Sequence, residues 1–372
     1  MSRRAVSRAV LAPLLIQRQL LRKPLAARPA NPTRILIAHH LLLGDTLMLT
    51  PLLARLRERY PKAELWMTVP TAFAPLYVTR PYGVQAHAYD PRDVRTLLAW
   101  IGRGPFDIAF LPADNRFSAF ARAVGARWIV GFAGDTPGYK NWLVDEQRPF
   151  ASAPMAFGDL VAQLVDDAPP LPYRPTDWPT PPYAPFDAPR EPYCVLHVGA
   201  SNRLRQWPAE HWRAVAAQLG AGGLEIVLSA GAGEGDIVRA IDPAGAHRNL
   251  AGRLTLPQLW GLLARADLLV TLDTGIAHLG RLSDVPTVVL FGPGSPAVFG
   301  AGEFWRNSRY RALQVEDLPC RAGQDVIFRR RIPGMAHCIR LYGECTDNIC
   351  MQRLPVDAVL AAARAILKPR NI

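Results

Sequence analysis

Leu268-Leu269-Val270-Thr271-Leu272-Asp273-Thr274-Gly275-Ile276-Ala277-His278-Leu279 changes its periodicity halfway along. The first half is a short apolar run, the pattern of a strand buried on both faces. Asp273-Thr274-Gly275 breaks the run, and Ile276, Ala277, Leu279 and Leu282 resume it at helical spacing. A strand that opens a helix in this way leaves unpaired N–H groups at the helix start, and with the helix dipole these can seat a phosphate. Thr274 adds a hydroxyl, Gly275 permits close approach to the backbone, and His278 lies one turn in. The same residues also fit a plain capped helix, with Asp273 or Thr274 as N-cap and His278 half-buried. A second apolar run, Val285 to Phe291, ends in Gly292-Pro293-Gly294-Ser295-Pro296. Two such strand ends side by side form a crevice at the carboxyl edge of a parallel sheet, where open α/β folds bind ligands.

Upstream, Tyr193–Val198 and Leu224–Ser229 read as further strands and Leu256–Leu263 as a helix. Pro208 suits the first turn of the helix that follows it. The Gly231-Ala232-Gly233-Glu234-Gly235 turn resembles a dinucleotide fingerprint only loosely. Residues 168–192 carry ten prolines and few aliphatic side chains, which suits an extended linker. Before it stands another strand–helix series: Ile35–Ala38, Glu64–Val69, Gln85–Tyr89, Phe106–Leu111 and Arg127–Val130. One helix is expected from Leu47 to just before Pro61, with Gly44-Asp45 at the first strand-to-helix turn and Asp45 either at the crevice or as an N-cap. The organisation expected is a basic segment (1–32), a Rossmann-like domain (33–167), a linker (168–192) and a second Rossmann-like domain with a cysteine-containing tail (193–372). The fold class is α/β, doubly wound in each half.

Composition sets outer limits. Hydrophobic residues at 49% and charged residues at 20% describe a globular chain, and no apolar run approaches the ~20 residues of a membrane span. The net charge of +12 favours an anionic partner, although an arginine-rich composition alone gives the same balance. No basic–aromatic interleaving or known module supports nucleic acid as that partner. Arg3, Arg4, Arg8, Arg18, Arg22, Lys23 and Arg28 alternate with apolar residues and no acid, which suits either an anionic membrane surface or a solvated tail. The segment lacks a signal-peptide cleavage pattern. Cys194 stands apart from Cys320, Cys338, Cys345 and Cys350, whose gaps are too irregular for a zinc motif; free thiols in a reducing compartment are expected.

Four stretches in order resemble glycosyltransferase family 9, the ADP-heptose:lipopolysaccharide heptosyltransferases. They are Gly44-Asp45-Thr46 through Thr50-Pro51, Leu196 to Ser201 with Arg205-Gln206-Trp207-Pro208, Asp273 to Leu279, and Phe291 to Pro296. The resemblance implies the GT-B arrangement, two Rossmann-like domains facing a cleft. It implies an inverting transfer without metal or cofactor, from a nucleotide-sugar to a lipopolysaccharide core or related glycan. Asp45 then matches the general base; Ser201, Arg205, Thr274, Gly275 and His278 match the pyrophosphate positions; Asp273 lies by the donor sugar and Glu234 by the ribose. The tail from Gly302 to Cys350, with Arg329-Arg330-Arg331, has no counterpart in that pattern, which leaves ADP-heptose as the expected donor and others open. The arginine run reads first as a solvated loop, with contact to a phosphorylated acceptor as the alternative. A cytoplasmic enzyme at the inner face of the inner membrane is implied. The alternatives are a nucleotide-binding protein of this fold without turnover and a NAD-dependent oxidoreductase.

Overall fold

The computed structural model describes residues 3–20, 27–321, 326–328, 330–335, 338, 344, 345 and 347–367. It divides into two compact units. Unit 1 runs to Tyr173 and takes in Asp177–Pro179 and Val326–Ile332; unit 2 holds Arg174–Thr176, Thr180–Asp325 and the chain from Pro333.

Unit 1 is a six-stranded parallel sheet of β1 (Arg34–Ile37), β2 (Glu64–Val69), β3 (Val84–Ala88), β4 (Phe106–Leu111), β5 (Ala126–Phe132) and β6 (Glu146–Arg148), ordered β3-β2-β1-β4-β5-β6. Unit 2 repeats the plan with β7 (Tyr193–His197), β8 (Glu225–Ser229), β9 (Arg248–Asn249), β10 (Leu268–Leu272), β11 (Thr287–Phe291) and β12 (Tyr310–Gln314), ordered β12-β11-β10-β7-β8-β9. Read from the opposite edge this is the same order, the doubly wound Rossmann arrangement, with its switch point between the first and fourth strand of each unit. The apolar runs are central strands because both faces are covered: every residue of β10 and β11 is buried.

The helix expected from Leu47 to Pro61 is two, Leu43–Leu47 and Thr50–Arg59. Pro51 has no N–H to offer the Leu47 carbonyl, and the Thr50 hydroxyl donates to it instead at 2.6 Å. The N-terminal segment forms a helix, Arg3–Leu20, which continues through Pro13. Its Val10 and Leu11 pack on the Leu97, Trp100, Phe120 and Val124 core of unit 1. Arg22 and Lys23 lie outside the described residues, as do the side chains of Arg3, Arg4 and Arg8. Arg28 is held in unit 1, donating to the Val165 carbonyl at 2.8 Å. Within the proline-rich stretch Trp178 is buried in unit 1, its indole N–H donating to Leu76 at 3.2 Å.

Candidate active site

The loops after β7 and β10 flank the switch point of unit 2. After β7 the chain passes Gly199, Ala200 and the exposed Ser201 into a short 3₁₀ turn, Arg203–Arg205, capped by Asn202. This turn aims Arg205 across to β10, where its Nη1 donates to the Asp273 carbonyl at 2.5 Å. Its Nε is buried without a hydrogen-bond partner. Asp273 itself is 4% exposed, and its Oδ2 also has no partner among the described residues. Burial raises its carboxyl above the usual range, against the opposing pull of Arg205 and Arg281. Gly294, in the loop after β11, lies so close that a Cβ there would stand 2.1 Å from Asp273 Oδ2.

Thr274 is the N-cap of the helix Gly275–Leu282, its hydroxyl accepting the Ile276 N–H at 3.3 Å. This settles the cap in favour of Thr274 over Asp273. His278 is buried rather than half-buried. Burial, then the neighbouring Arg281 and Arg205, holds its imidazole neutral. Arg281 presses Nη2 on His278 Nδ1. A guanidinium only donates, so Nδ1 accepts and the ring proton sits on Nε2. Arg281 is fixed in turn by the Gly300 carbonyl, by Phe299 at 3.3 Å, and between the rings of Trp305 and Tyr310 at 4.8 and 5.0 Å. Neither Arg281 nor these rings stood out in the sequence. The signal available was Arg281 itself, three residues past His278 on the same helical face.

Glu234 sits on the other side of β7. Its Oε2 accepts the Gly231 N–H at 2.6 Å, and a Cβ on Gly199 would meet that oxygen at 2.0 Å. Glu234 therefore covers the carboxyl ends of β7 and β8, whereas Arg205, Asp273, Thr274 and His278 gather over β10.

In unit 1 the loop after β1 is pinned at His39: Thr68 Oγ1 accepts its N–H and donates to its carbonyl, both at 2.7 Å. Burial pushes the His39 imidazole down to about 3; its Nδ1 accepts from Leu41 at 3.3 Å, and its Nε2 has no partner. Asp45 follows, half-buried, in the first turn of the helix Leu43–Leu47. Leu42 holds the cap position without a side-chain bond, so the N-cap reading of Asp45 is corrected. A carboxylate in the first turn still favours the helix dipole. Arg330 is also corrected as a member of a solvated run. It is buried in unit 1 and donates to the carbonyls of Ala113, Phe132 and Ala133 at 2.7, 3.1 and 2.9 Å. Arg331 is exposed, and Arg329 lies outside the described residues.

Among the described residues no group of three or more His, Cys, Asp or Glu side chains is placed to hold a metal ion. The sequence profile of glycosyltransferase family 9 (heptosyltransferase) matches residues 94–326. The chain belongs to glycosyltransferase family 9. Lipopolysaccharide heptosyltransferase 1 of Escherichia coli K12 is 31% identical over 97 residues, 26% of this chain and 30% of that protein. The Pseudomonas aeruginosa PAO1 enzyme of the same name is 32% identical over 213 residues, 52% of this chain and 57% of that protein. The chain thus aligns with about a third to somewhat over half of these relatives' lengths. The solved structure of E. coli ADP-heptose lps heptosyltransferase II has the same fold, with a TM-score of 0.66 at 20% identity, over 90% of this chain and 98% of that one. The family match ends at residue 326, so Arg330 and the tail around it lie beyond it. The Gly231–Gly235 turn lies inside the match.

Proposed function

We propose that this family 9 chain transfers heptose from ADP-heptose to a lipopolysaccharide core or related glycan, with inversion and without a metal ion. One observation carries the donor side: Arg205, with a buried unsatisfied Nε, converges with the capped N-terminus of the Gly275–Leu282 helix. Such an assembly suits a diphosphate, which answers both the unpaired N–H groups and the cation. Ser201 and Thr274 add hydroxyls, and His278 adds a neutral Nε2–H whose donation does not change near neutral pH. Asp273 takes the donor sugar and Glu234 the ribose. The ADP-heptose assignment draws on the names of the relatives and on the solved heptosyltransferase II.

Asp45 is the general base. It removes the proton of the acceptor hydroxyl as the oxygen attacks the anomeric carbon, on the face opposite the departing nucleoside diphosphate. Charge builds on the leaving phosphate oxygens and is met by Arg205 and the helix N–H groups. The domain roles follow: residues 33–167 take the acceptor and 193–372 the donor. The enzyme works in the cytoplasm, where the basic N-terminal helix meets the anionic inner face of the inner membrane.

Release of ADP from ADP-heptose in the presence of a heptose-deficient lipopolysaccharide tests the reaction directly. For the donor site, calorimetry with ADP and adenosine on Arg205→Ala should show ADP binding weakened about tenfold or more, since a charge-assisted bond contributes ~1.5–3 kcal/mol. Adenosine binding should hardly change. Equal losses for both ligands would move the phosphate site elsewhere.

A further inference from the structure

The 3₁₀ turn Gly138–Asn141, with Trp142 behind it, follows β5 on the carboxyl edge of the unit 1 sheet. Its side chains are inverted relative to an ordinary surface turn. Lys140 is buried, its ammonium between Asp114 Oδ1 at 3.1 Å and Asp135 Oδ1 at 3.0 Å. Asn141 donates to the Asp135 carbonyl at 2.9 Å and accepts from Asn115 Nδ2 at 2.7 Å. The Asn115 N–H in turn donates to Asp135 Oδ2 at 2.7 Å. The two large aromatic residues point the other way. Tyr139 is 60% exposed and Trp142 83%, the most exposed large apolar side chain among the described residues. Their rings stand 6.4 Å apart at 71°, a floor and a wall. Burying an ammonium while leaving an indole in water is the reverse of what stability alone favours.

We propose that Tyr139 and Trp142 form a stacking subsite for the acceptor glycan, taking a sugar ring next to the one that reacts. The apolar face of a pyranose packs on an aromatic ring while its hydroxyls stay hydrated, and an indole supplies that surface with little conformational entropy to lose. The ion network beneath pins the turn in advance, which lowers the ordering cost of binding. The position fits as well. β5 lies two strands from β1 in the same sheet, about 10 Å at the usual strand spacing, so the loop that carries the turn leaves the same edge as the Asp45 loop, on the scale of a short oligosaccharide. A bilayer also accepts Trp and Tyr, but it requires neither a pinned turn nor the ligand edge of a sheet. The subsite rests on the acceptor role given to unit 1.

The test compares wild type, Trp142→Ala, Tyr139→Ala and Trp142→Phe on two soluble acceptors. One is a delipidated, heptose-deficient lipopolysaccharide core oligosaccharide; the other is the methyl glycoside of its terminal residue. Trp142→Ala should raise KM for the oligosaccharide about tenfold (the 1.4 kcal/mol step) with kcat held, and shift the glycoside far less. Trp142→Phe, which keeps a flat ring, should recover most of the loss. Titrating the oligosaccharide without donor should change tryptophan fluorescence in wild type and not in Trp142→Ala. That arm needs no turnover. A fluorescence response without any transfer keeps the subsite and sinks the transferase reading. Transfer with the same oligosaccharide KM in wild type and Trp142→Ala sinks the subsite and keeps the transferase reading. An unchanged KM with weaker sedimentation on phosphatidylglycerol vesicles makes the pair a bilayer anchor and overturns the proposal.

Discussion

The carboxyl edges of the two sheets share one strand order and are finished differently. In unit 2 two buried polar atoms beside the switch point are unpaired, Arg205 Nε and Asp273 Oδ2. In unit 1 His39 Nε2 and Asn115 Oδ1 are left open too, but Asn115, Asp135 and Lys140 are otherwise tied to one another, and Tyr139 and Trp142 stand exposed beside them. An open guanidinium nitrogen and an open carboxyl oxygen at a helix start fit a small ligand that completes them in one geometry. A cross-linked turn bearing exposed aromatic side chains fits a larger partner that touches down at separate points. The shared topology fixes where ligands bind, and the finishing of each edge suits it to a different kind.

The largest effect expected on this contrast is at Asp45. Removing a general base costs roughly 10²–10⁴-fold in turnover, so if Asp45 has the proposed role Asp45→Asn should lose that much, while calorimetric ADP affinity, proposed for unit 2, stays put. Activity within a few-fold of wild type would leave Asp45 as a first-turn carboxylate that merely favours its helix.

The central strands are legible because each is local, and so is the motif proposed for the donor. β2 and β4 are apolar runs that stop at Pro70 and Pro112, and β10 is one that stops at Asp273-Thr274-Gly275. Arg205, Asp273 and His278 belong to short motifs at strand ends. The outer strands β6, β9 and β12 are short, or only partly buried, and carry charged residues such as Glu146, Arg148, Arg248 and Arg311, so no apolar run marks them. The support behind the sites is not local either. Arg281 is held by rings from residues 305 and 310, and Arg330 reaches carbonyls 197 to 217 positions earlier. A run of three arginines reads as solvated until the fold supplies those carbonyls.

Arg330 offers the next, smaller test. Besides its three carbonyls it lies 3.6 Å from Asp135 and over the Phe150 ring at 5.2 Å. Breaking a buried pair costs about 3–5 kcal/mol, and because Lys140 still holds Asp135 the lower end applies. Arg330→Met should shift the unit 1 urea transition to lower denaturant, seen by the fluorescence of its tryptophans, and leave ADP binding unchanged. An equal loss of ADP affinity would mean the two edges are not built independently.

The smallest effect concerns the N-terminal helix. No helix among the described residues is long and apolar enough to cross a membrane, and the contact proposed for this one is lateral. Val10, Leu11, Leu14 and Leu15 face inward, while Ala9, Pro13, Ile16 and Leu20 form an outer stripe, with Ile16 59% and Leu20 80% exposed. Deleting the segment would uncover Trp100 and Phe120 and confuse folding with binding. Point changes on the stripe avoid this. Ile16→Ser with Leu20→Ser should weaken sedimentation with phosphatidylglycerol vesicles at least several-fold, since an apolar side chain contributes about 1.5–3 kcal/mol when fully buried and a fraction of that when it lies at a surface. Added salt should weaken the remaining binding through the screened arginines. A Cβ on Gly125, just before β5 begins, would stand 3.8 Å from Arg18 Cζ, so the end of the helix that carries Ile16 and Leu20 lies toward the amino edge of the sheet, away from Asp45. Turnover on a soluble acceptor should therefore be untouched in the same variant. A matching loss of turnover would place the stripe in acceptor binding, and the separation between membrane face and ligand edge would fail.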